Sequence, residues 1–242
     1  MVCDKVRIRF QKTGDLRLVS HHDLMRCFER MLRRSGLPFR SSKGFHPKPR
    51  LSFALSLPLG VVSSAEIVDL ELDKALPTDE ILERLARQAP PGLILDSVAR
   101  VHPKASAQVR ALCYRVPVPE RFRAGLPVRI SEILSAATCP VERVRPEPRT
   151  VDLRPFIRAL HFSDAALEIE LWVTPQGTAR PAEVLGLLGL DELTAQGAVV
   201  ERTKLELSDA PSAGPATTDS QAVASAESSR LTNELLHHPT DR

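Results

Sequence analysis

The segment 43–50, KGFHPKPR, concentrates positive charge in a stretch that two prolines stiffen. Proline fixes φ and removes a backbone donor, so we expect this loop to stay extended and to lose little conformational freedom on binding. Each cation that neutralises a phosphate releases condensed counterions, which makes a nucleic-acid backbone a suitable target. An aromatic ring can also stack on an unpaired base, a contact worth about 1–3 kcal/mol. The predicted RNA contacts in the loop are Lys43, Phe45, His46, Lys48 and Arg50.

A predicted helix just before the loop carries a second group of cations. Residues 20–35 place apolar side chains on one arc of a helix and arginines on the opposite arc. Arginine is suited to bidentate phosphate contacts, so this face extends the predicted RNA surface. Its members are Arg26, Arg30, Arg33 and Arg34. Arg180, at the start of a later predicted helix, is a further predicted nucleic-acid contact, as a candidate for binding an anion. A solvated charged face without a ligand and a protein-docking surface are the alternatives.

Four titratable side chains are candidates for acid–base chemistry, namely His21, Asp23, His46 and Glu66. Adjacent residues on a helix point about 100° apart, so His21 and His22 do not readily share a metal ion, and we predict no metal site. The four cysteines are widely spaced, and the sequence holds no phosphate-binding glycine loop, so we predict no cofactor. Capping of the helix by Asp23 and packing of His21 would explain this pair without catalysis.

The charge of the chain is unevenly distributed. Residues 1–50 contain 13 Lys or Arg and 4 Asp or Glu, a formal charge of +9, whereas the whole chain of 242 residues carries only +3. A basic segment on a near-neutral body favours a polyanionic partner. No apolar run approaches the roughly 20 residues of a membrane helix, and the first residues lack the apolar core of a signal peptide. We therefore expect a cytoplasmic protein with no membrane partner.

Hydrophobic periodicity predicts an α+β fold of two ferredoxin-like (βαββαβ) units in tandem. In the first unit, 1–103, the predicted strands are 5–11, 51–59, 65–72 and 93–101, with helices from Ser20 to about Ser35 and from a Thr78 cap to Pro90. In the second unit, 112–207, the clearest elements are strands 113–119, 165–174 and 198–207 and helices 127–136 and 180–190, the last capped by Thr178. Residues 208–242 are rich in Ser, Ala and Thr, which predicts a disordered tail.

The stretch SHHDLMRCFERMLRRSGLPFRSSKGFHPKPRLSFALSLPLGVVSSAEIVDLEL resembles a family of uncharacterised bacterial proteins known as radical-SAM-linked proteins. That family shows a Ser-His-x-Asp-Leu-x-Arg helix start, an Arg-Arg-x-Gly-Leu-Pro helix end, a Gly-Phe-Asn-Pro-His-Pro loop and a downstream Glu. The segments DLRPFIRAL, GTARPAEVLGLLGL and RTKLEL resemble its second half. The matching positions include Ser20, His21, Asp23, Arg26, Gly36, Pro38, Gly44, Phe45, Pro47, Pro49, Phe53 and Glu66.

The resemblance implies a partner and a context. Members are encoded beside, or fused to, a radical SAM enzyme, and near genes for ribosomal proteins and a ribosomal-RNA-processing ribonuclease. This chain departs from the pattern at His46, where the family commonly has Asn, and at Lys48, where it commonly has His. A role that depends on an Asn/His pair would be lost with that change, whereas a role built on positive charge survives it.

Three functions follow from these observations. The first is an accessory module that presents a structured RNA, a tRNA or an rRNA, to a radical SAM protein encoded nearby. The second is a metal-independent RNA endonuclease or RNA-modifying enzyme that uses His and Asp as acid and base. The third is an adaptor whose basic face docks on the radical SAM partner.

Overall fold

The computed structural model describes residues 4–144 and 147–208. The first half contains β1 (Asp4–Lys12), α1 (His21–Ser35), β2 (Leu51–Phe53), β3 (Val62–Leu72), α2 (Thr78–Ala86) and β4 (Leu93–Val101). The second half contains β5 (Val109–Pro117), α3 (Leu126–Ser135), β6 (Pro140–Arg143), β7 (Arg149–Asp152), β8 (Ile157–Ser163), β9 (Ala166–Trp172), α4 (Pro181–Leu187), α5 (Glu192–Ala195) and β10 (Glu201–Leu207). Short 3₁₀ helices occur at Gly14–Leu18, Glu120–Phe122 and Arg154–Phe156.

Eight strands form one sheet in the order β4-β1-β3-β10-β5-β9-β8, and β2 also pairs with β3. The pairings are antiparallel except for that of β3 with β10, which is parallel and short. Strands β6 and β7 form a separate hairpin. The predicted α+β class is confirmed, because the structure combines a large, mostly antiparallel sheet with a few helices.

The described residues belong to one compact unit. The predicted boundary between residues 103 and 112 falls between β4 and β5, and strands from both sides of it enter the same sheet. One apolar cluster lies under α1 and α2, and a second fills the half that contains β5, β8 and β9. The predicted disordered tail, 208–242, lies outside the described residues except for Ser208.

Helix α1 forms as its sequence predicts. The hydroxyl of Ser20 accepts the backbone N–H of Asp23 and caps the N-terminus, while Gly36 ends the helix in the left-handed conformation at φ 66°. The buried face consists of Leu24, Phe28, Met31 and Leu32. Each such side chain contributes about 1.5–3 kcal/mol by leaving water, so the apolar face fixes α1 on the sheet and turns its arginines outward.

Four predictions of element boundaries and caps were wrong. The strand predicted over 51–59 ends at Phe53, because β3 pairs with β2 only near Val68 and with β10 near Val62. Helix α2 has Pro77, not Thr78, at its N-cap position. Thr178 does not cap α4, since its hydroxyl donates to the carbonyl of Trp172 at 2.8 Å. The helix predicted over 180–190 stops at Leu187, and the chain turns at Gly189 with φ 65°.

Candidate functional site

A row of polar side chains crosses the sheet where its two halves meet. The strand registers place Lys12 of β1 opposite Ser63 of β3, Ser63 beside Arg202 of β10, and Arg202 opposite Tyr114 of β5. Lys12, Ser63 and Arg202 are buried, as is Glu66 a few residues further along β3. We call these five residues, together with His21, the junction cluster.

Arg202 is the centre of the junction cluster, and its side chain is only 1% exposed. Its Nη1 donates to Glu66 Oε1 at 2.9 Å, and its Nε and Nη2 donate to the hydroxyl of Tyr114 at 3.3 and 3.1 Å. Nη2 also donates to the carbonyl of Ser56 at 3.2 Å. A buried guanidinium is tolerated only when its charge and its donors are matched, and these contacts match both.

Lys12 and Glu66 have perturbed proton affinities for the same reason. Burial lowers the pKa of the Lys12 ammonium, and the nearby Glu66 carboxylate partly opposes this. Burial raises the pKa of the Glu66 carboxyl, against the opposing charges of Arg202 and Lys12. The Lys12 Nζ atom donates to the carbonyl of Val19 at 2.7 Å, which holds the loop before α1 against the sheet.

His21 closes the cluster from the first turn of α1. Its ring packs edge-on against Phe53, with the ring centroids 5.2 Å apart. Burial lowers its pKa, and the charges of Lys12, His22 and Arg202 lower it further, so the imidazole is neutral at pH 7. Within residues 4–144 and 147–208 its buried Nδ1 atom has no hydrogen-bond partner. Protonation of this imidazole would place a further positive charge beside Lys12 and Arg202, which its lowered pKa reflects.

The structure brings together two of the four predicted acid–base residues. His21 and Glu66 both belong to the junction cluster, whereas Asp23 is exposed, accepts the Ser20 hydroxyl at 2.7 Å and pairs with Arg26. His46 lies exposed on the 43–50 loop. The arrangement can hold the two halves of the sheet through its ion pair, and it can exchange a proton through its neutral imidazole and its buried ammonium.

Four members of the junction cluster were not predicted from the sequence, namely Lys12, Ser63, Tyr114 and Arg202. One signal was available, because Lys12 continues the inward alternation of Val6, Ile8 and Phe10 along β1 and so falls on a core position. No comparable signal marked Arg202, whose partner Glu66 is 136 residues away in the chain.

The predicted RNA contacts on α1 and the loop lie side by side. The Arg33 guanidinium donates to the carbonyl of Pro47 at 2.9 Å, and the Lys48 ammonium lies 3.9 Å from Glu29 of α1. Phe45 is fully exposed at the tip of the loop. We call this region the α1–loop surface, and its exposed cationic members are Arg26, Arg30, Arg33, Arg34, Lys43, Lys48 and Arg50.

Carboxylates accompany part of this surface. Arg26 lies 3.5 Å from Asp23, and Arg50 lies 3.2 Å from Glu71. Exposed pairs of this kind contribute about 0–1 kcal/mol, so a phosphate can replace the carboxylate at little cost. In the described part of the chain Arg30, Arg34 and Lys43 form no ion pair. The surface therefore keeps a net positive charge.

Arg180, the remaining predicted anion contact, stands at the N-cap of α4. It lines a cavity together with Arg17 and Pro58. Across the described ranges, no group of three or more His, Cys, Asp or Glu is placed to hold a metal ion. No helix within the same residues is both long and apolar enough to cross a membrane.

The fold and the site define an α+β protein that is built on one mostly antiparallel sheet, with a buried ionic junction and a separate basic surface. The chain belongs to the family described as "Uncharacterized protein conserved in bacteria (DUF2344)", which matches residues 5–181. No curated protein matches the chain. A crystal structure of an unknown protein from Galdieria sulphuraria aligns at 14% identity, covering 85% of this chain and 99% of that one, with a TM-score of 0.25.

Removal of the Glu66 charge should destabilise the fold strongly. Glu66→Gln leaves Arg202 buried without its carboxylate, so we expect a loss of about 3–5 kcal/mol in the free energy of unfolding, measured by urea denaturation. The double variant Glu66→Leu/Arg202→Met removes both charges and should recover part of this loss, although Lys12 also loses its compensating carboxylate. The control is Glu83→Gln, which disrupts the exposed pair with Arg87 and should cost well under 1 kcal/mol. Equal losses for Glu66→Gln and Glu83→Gln would contradict the assigned role of the ion pair.

Stability should also depend on pH through His21. Its pKa is lowered on folding from the ordinary 6.5, so the unfolded chain binds more protons and stability falls as the pH drops below about 6.5. His21→Phe keeps an aromatic ring against Phe53 without a titrating group. We expect the variant to show a shallower fall between pH 7 and pH 5, with a difference of at most about 1.4 kcal/mol per pH unit. Identical pH profiles in urea denaturation would show that His21 titrates as it does in the unfolded chain.

Proposed function

We propose that this protein is an accessory RNA-binding module that acts in the cytoplasm and presents a structured RNA, a tRNA or an rRNA, to a radical SAM enzyme. The observation that carries the proposal is the contact between Arg33 of α1 and the carbonyl of Pro47. This contact joins two basic elements, the helix and the loop, into one surface. A phosphate backbone that follows the surface would meet cations from both elements.

The electrostatics of the α1–loop surface support RNA as the ligand. Arg30 and Arg34 are one helical turn apart and exposed, so their guanidinium groups can reach successive phosphates. Pro47 and Pro49 limit the freedom of the loop, which reduces the entropy lost on binding. The exposed ring of Phe45 can stack on an unpaired RNA base. A fully double-stranded RNA or an acidic protein would not use such a ring.

We also infer that each half of the molecule is a ferredoxin-like unit. In the first half the strands lie in the order β4-β1-β3-β2. In the second half, with the β6–β7 hairpin set aside, the strands lie in the order β10-β5-β9-β8. Both orders are fourth, first, third, second when the strands of each half are counted along the chain. The β6–β7 hairpin is then an insertion into the second unit. A sheet shared by two such units would give the α1–loop surface a rigid support.

The radical SAM partner is proposed from the family resemblance. The chain's own cysteines, Cys3, Cys27, Cys113 and Cys139, lack the close spacing of an iron–sulfur motif, so the cluster chemistry would belong to the partner protein. Under this proposal the chain contributes RNA affinity and orientation. The Lys and Arg residues of the α1–loop surface would bind phosphates and leave the target base accessible.

Binding of bulk tRNA should depend steeply on salt. Arg30→Gln should lower the affinity and should reduce the slope of log affinity against log salt by about one, because one phosphate contact is lost. Phe45→Ala should weaken binding by about 1–3 kcal/mol and leave the slope unchanged, because stacking releases no counterions. Filter binding over a series of salt concentrations measures both quantities.

Arg87→Gln is the matched control for this experiment. Arg87 lies just after α2, is exposed and pairs with Glu83, so its loss changes the net charge equally but removes no predicted RNA contact. Equal effects of Arg30→Gln and Arg87→Gln would refute the α1–loop surface as the RNA site. Binding of the radical SAM protein without any RNA affinity would favour the adaptor function instead.

A second candidate function is an RNA-cleaving or RNA-modifying enzyme. The observation that favours it is the neutral His21 beside Lys12, whose pKa is lowered as well. A neutral imidazole can act as a general base and an ammonium as a general acid. His21 lies in the first turn of α1, the helix that carries the arginines of the proposed RNA surface.

Incubation of RNA with the chain alone separates the two functions. As an accessory module, the wild-type chain leaves the RNA unaltered by gel and mass analysis unless the radical SAM protein is added. As an enzyme, it alters the RNA alone, and His21→Phe abolishes this while tRNA affinity is retained. We expect the first result.

A further inference from the structure

A cavity of about 400 Å³ lies outside the α1–loop surface, since none of the residues of that surface lines it. Its walls come from the 3₁₀ helix at Gly14–Leu18, the turn 58–61, the start of α4 and the segment 194–200. This volume lies within the usual range of about 300–1,000 Å³ for small-molecule sites. It is large enough for a compact organic ligand.

The walls of the cavity are mainly apolar. Leu18 and Leu59 line it and are 62% and 66% exposed, which places them among the most exposed large apolar residues of the described chain. Val61 and Pro181 line it further in. A ligand with an apolar body would remove the two leucines from water, at about 25 cal/mol for each Å² of apolar surface buried.

Two arginines provide the polar part of the cavity, and the described lining residues include no carboxylate. The Arg180 side chain is 60% exposed, and its Nε lies 3.9 Å from Glu183. That carboxylate already accepts both Nε and Nη2 of Arg143, at 2.7 and 2.8 Å, and the backbone N–H of Arg180. The positive charge of Arg180 is therefore only weakly compensated, and its guanidinium donors remain available to a ligand.

Arg180 also lines a second cavity of about 320 Å³, which adjoins the first at Pro58 and Pro181. Tyr114 and Arg202 of the junction cluster lie in its wall. Arg180 is thus common to an apolar cavity and to a cavity with polar groups. A ligand head held by Arg180 would sit next to both.

We propose that the Arg17–Arg180 cavity binds a small organic anion, with its apolar body against Leu18 and Leu59 and its anionic head on Arg180. A carboxylate, sulfonate or phosphate head fits the planar donor geometry of a guanidinium. The half-buried Arg17 side chain also lines the cavity, where it donates to the carbonyl of Gly14 at 3.1 Å and pairs with the exposed carboxylate of Asp15 at 3.3 Å. Arg180 is therefore the main cationic contact for the ligand. The site does not depend on the RNA-binding proposal.

Two fluorescent probes with the same body test both parts of the site. Anilinonaphthalene sulfonate carries an anionic head, and phenylnaphthylamine is its uncharged counterpart. We expect saturable binding of the sulfonate at one site per chain. Arg180→Gln should weaken the sulfonate by about tenfold or more and leave phenylnaphthylamine unchanged, because only the sulfonate loses a charge-assisted hydrogen bond. Leu59→Ser should weaken both probes.

Arg87→Gln and Ile94→Ser are the matched controls. Both replace exposed residues outside the cavity and should leave both probes unaffected. The proposal is overturned if Arg180→Gln matches Arg87→Gln, if Leu59→Ser matches Ile94→Ser, or if the sulfonate binds at several equal sites. Far- and near-ultraviolet circular dichroism of each variant verifies that it is folded.

Discussion

The arrangement of this molecule depends on the burial of one positive charge, that of Arg202. Strands β3 and β10 share only a short parallel pairing, so backbone hydrogen bonds alone provide little connection between the two halves of the sheet. The Arg202 side chain adds the missing contacts, reaching Glu66 on β3, Tyr114 on β5 and the carbonyl of Ser56. Transfer of an ion into the protein interior costs several kcal/mol unless its partners are in place. Only an arrangement that supplies all these partners is therefore stable.

The same requirement determines the chemistry around the junction. Lys12 and Arg202, whose charges Glu66 compensates, also lower the pKa of His21. Lys12 binds the carbonyl of Val19, in the loop that leads directly into α1. The start of α1 is thus fixed by the buried cluster, while its end is tied to the loop through Arg33 and Pro47. A helix held at both ends presents its arginines in a constant geometry, which favours the recognition of a rigid ligand.

Charged residues in this protein have two distinct physical environments. Cations in the core, such as Lys12 and Arg202, donate their hydrogen bonds to internal groups. Because they are buried, they cannot contact a polyanion. Cations on α1 and the loop remain in water, where no desolvation cost forces them to find an internal partner. The basic character seen in the sequence is therefore divided between a structural junction and a surface that is available to ligands.

Local patterns in the sequence determined the elements that carry the basic surface. Ser20 and Gly36 bound α1, and the spacing of Leu24, Phe28 and Met31 set which face is exposed, because capping and burial act within a few residues. His21 and Glu66 were candidates by residue type, but their common environment was not predictable. It depends on the registers that bring Lys12, Glu66 and Arg202 together over as many as 190 residues, and on the cost of burying their charges. Only the tertiary structure decides such long-range pairing, since no local pattern encodes which distant strand will compensate a buried ion.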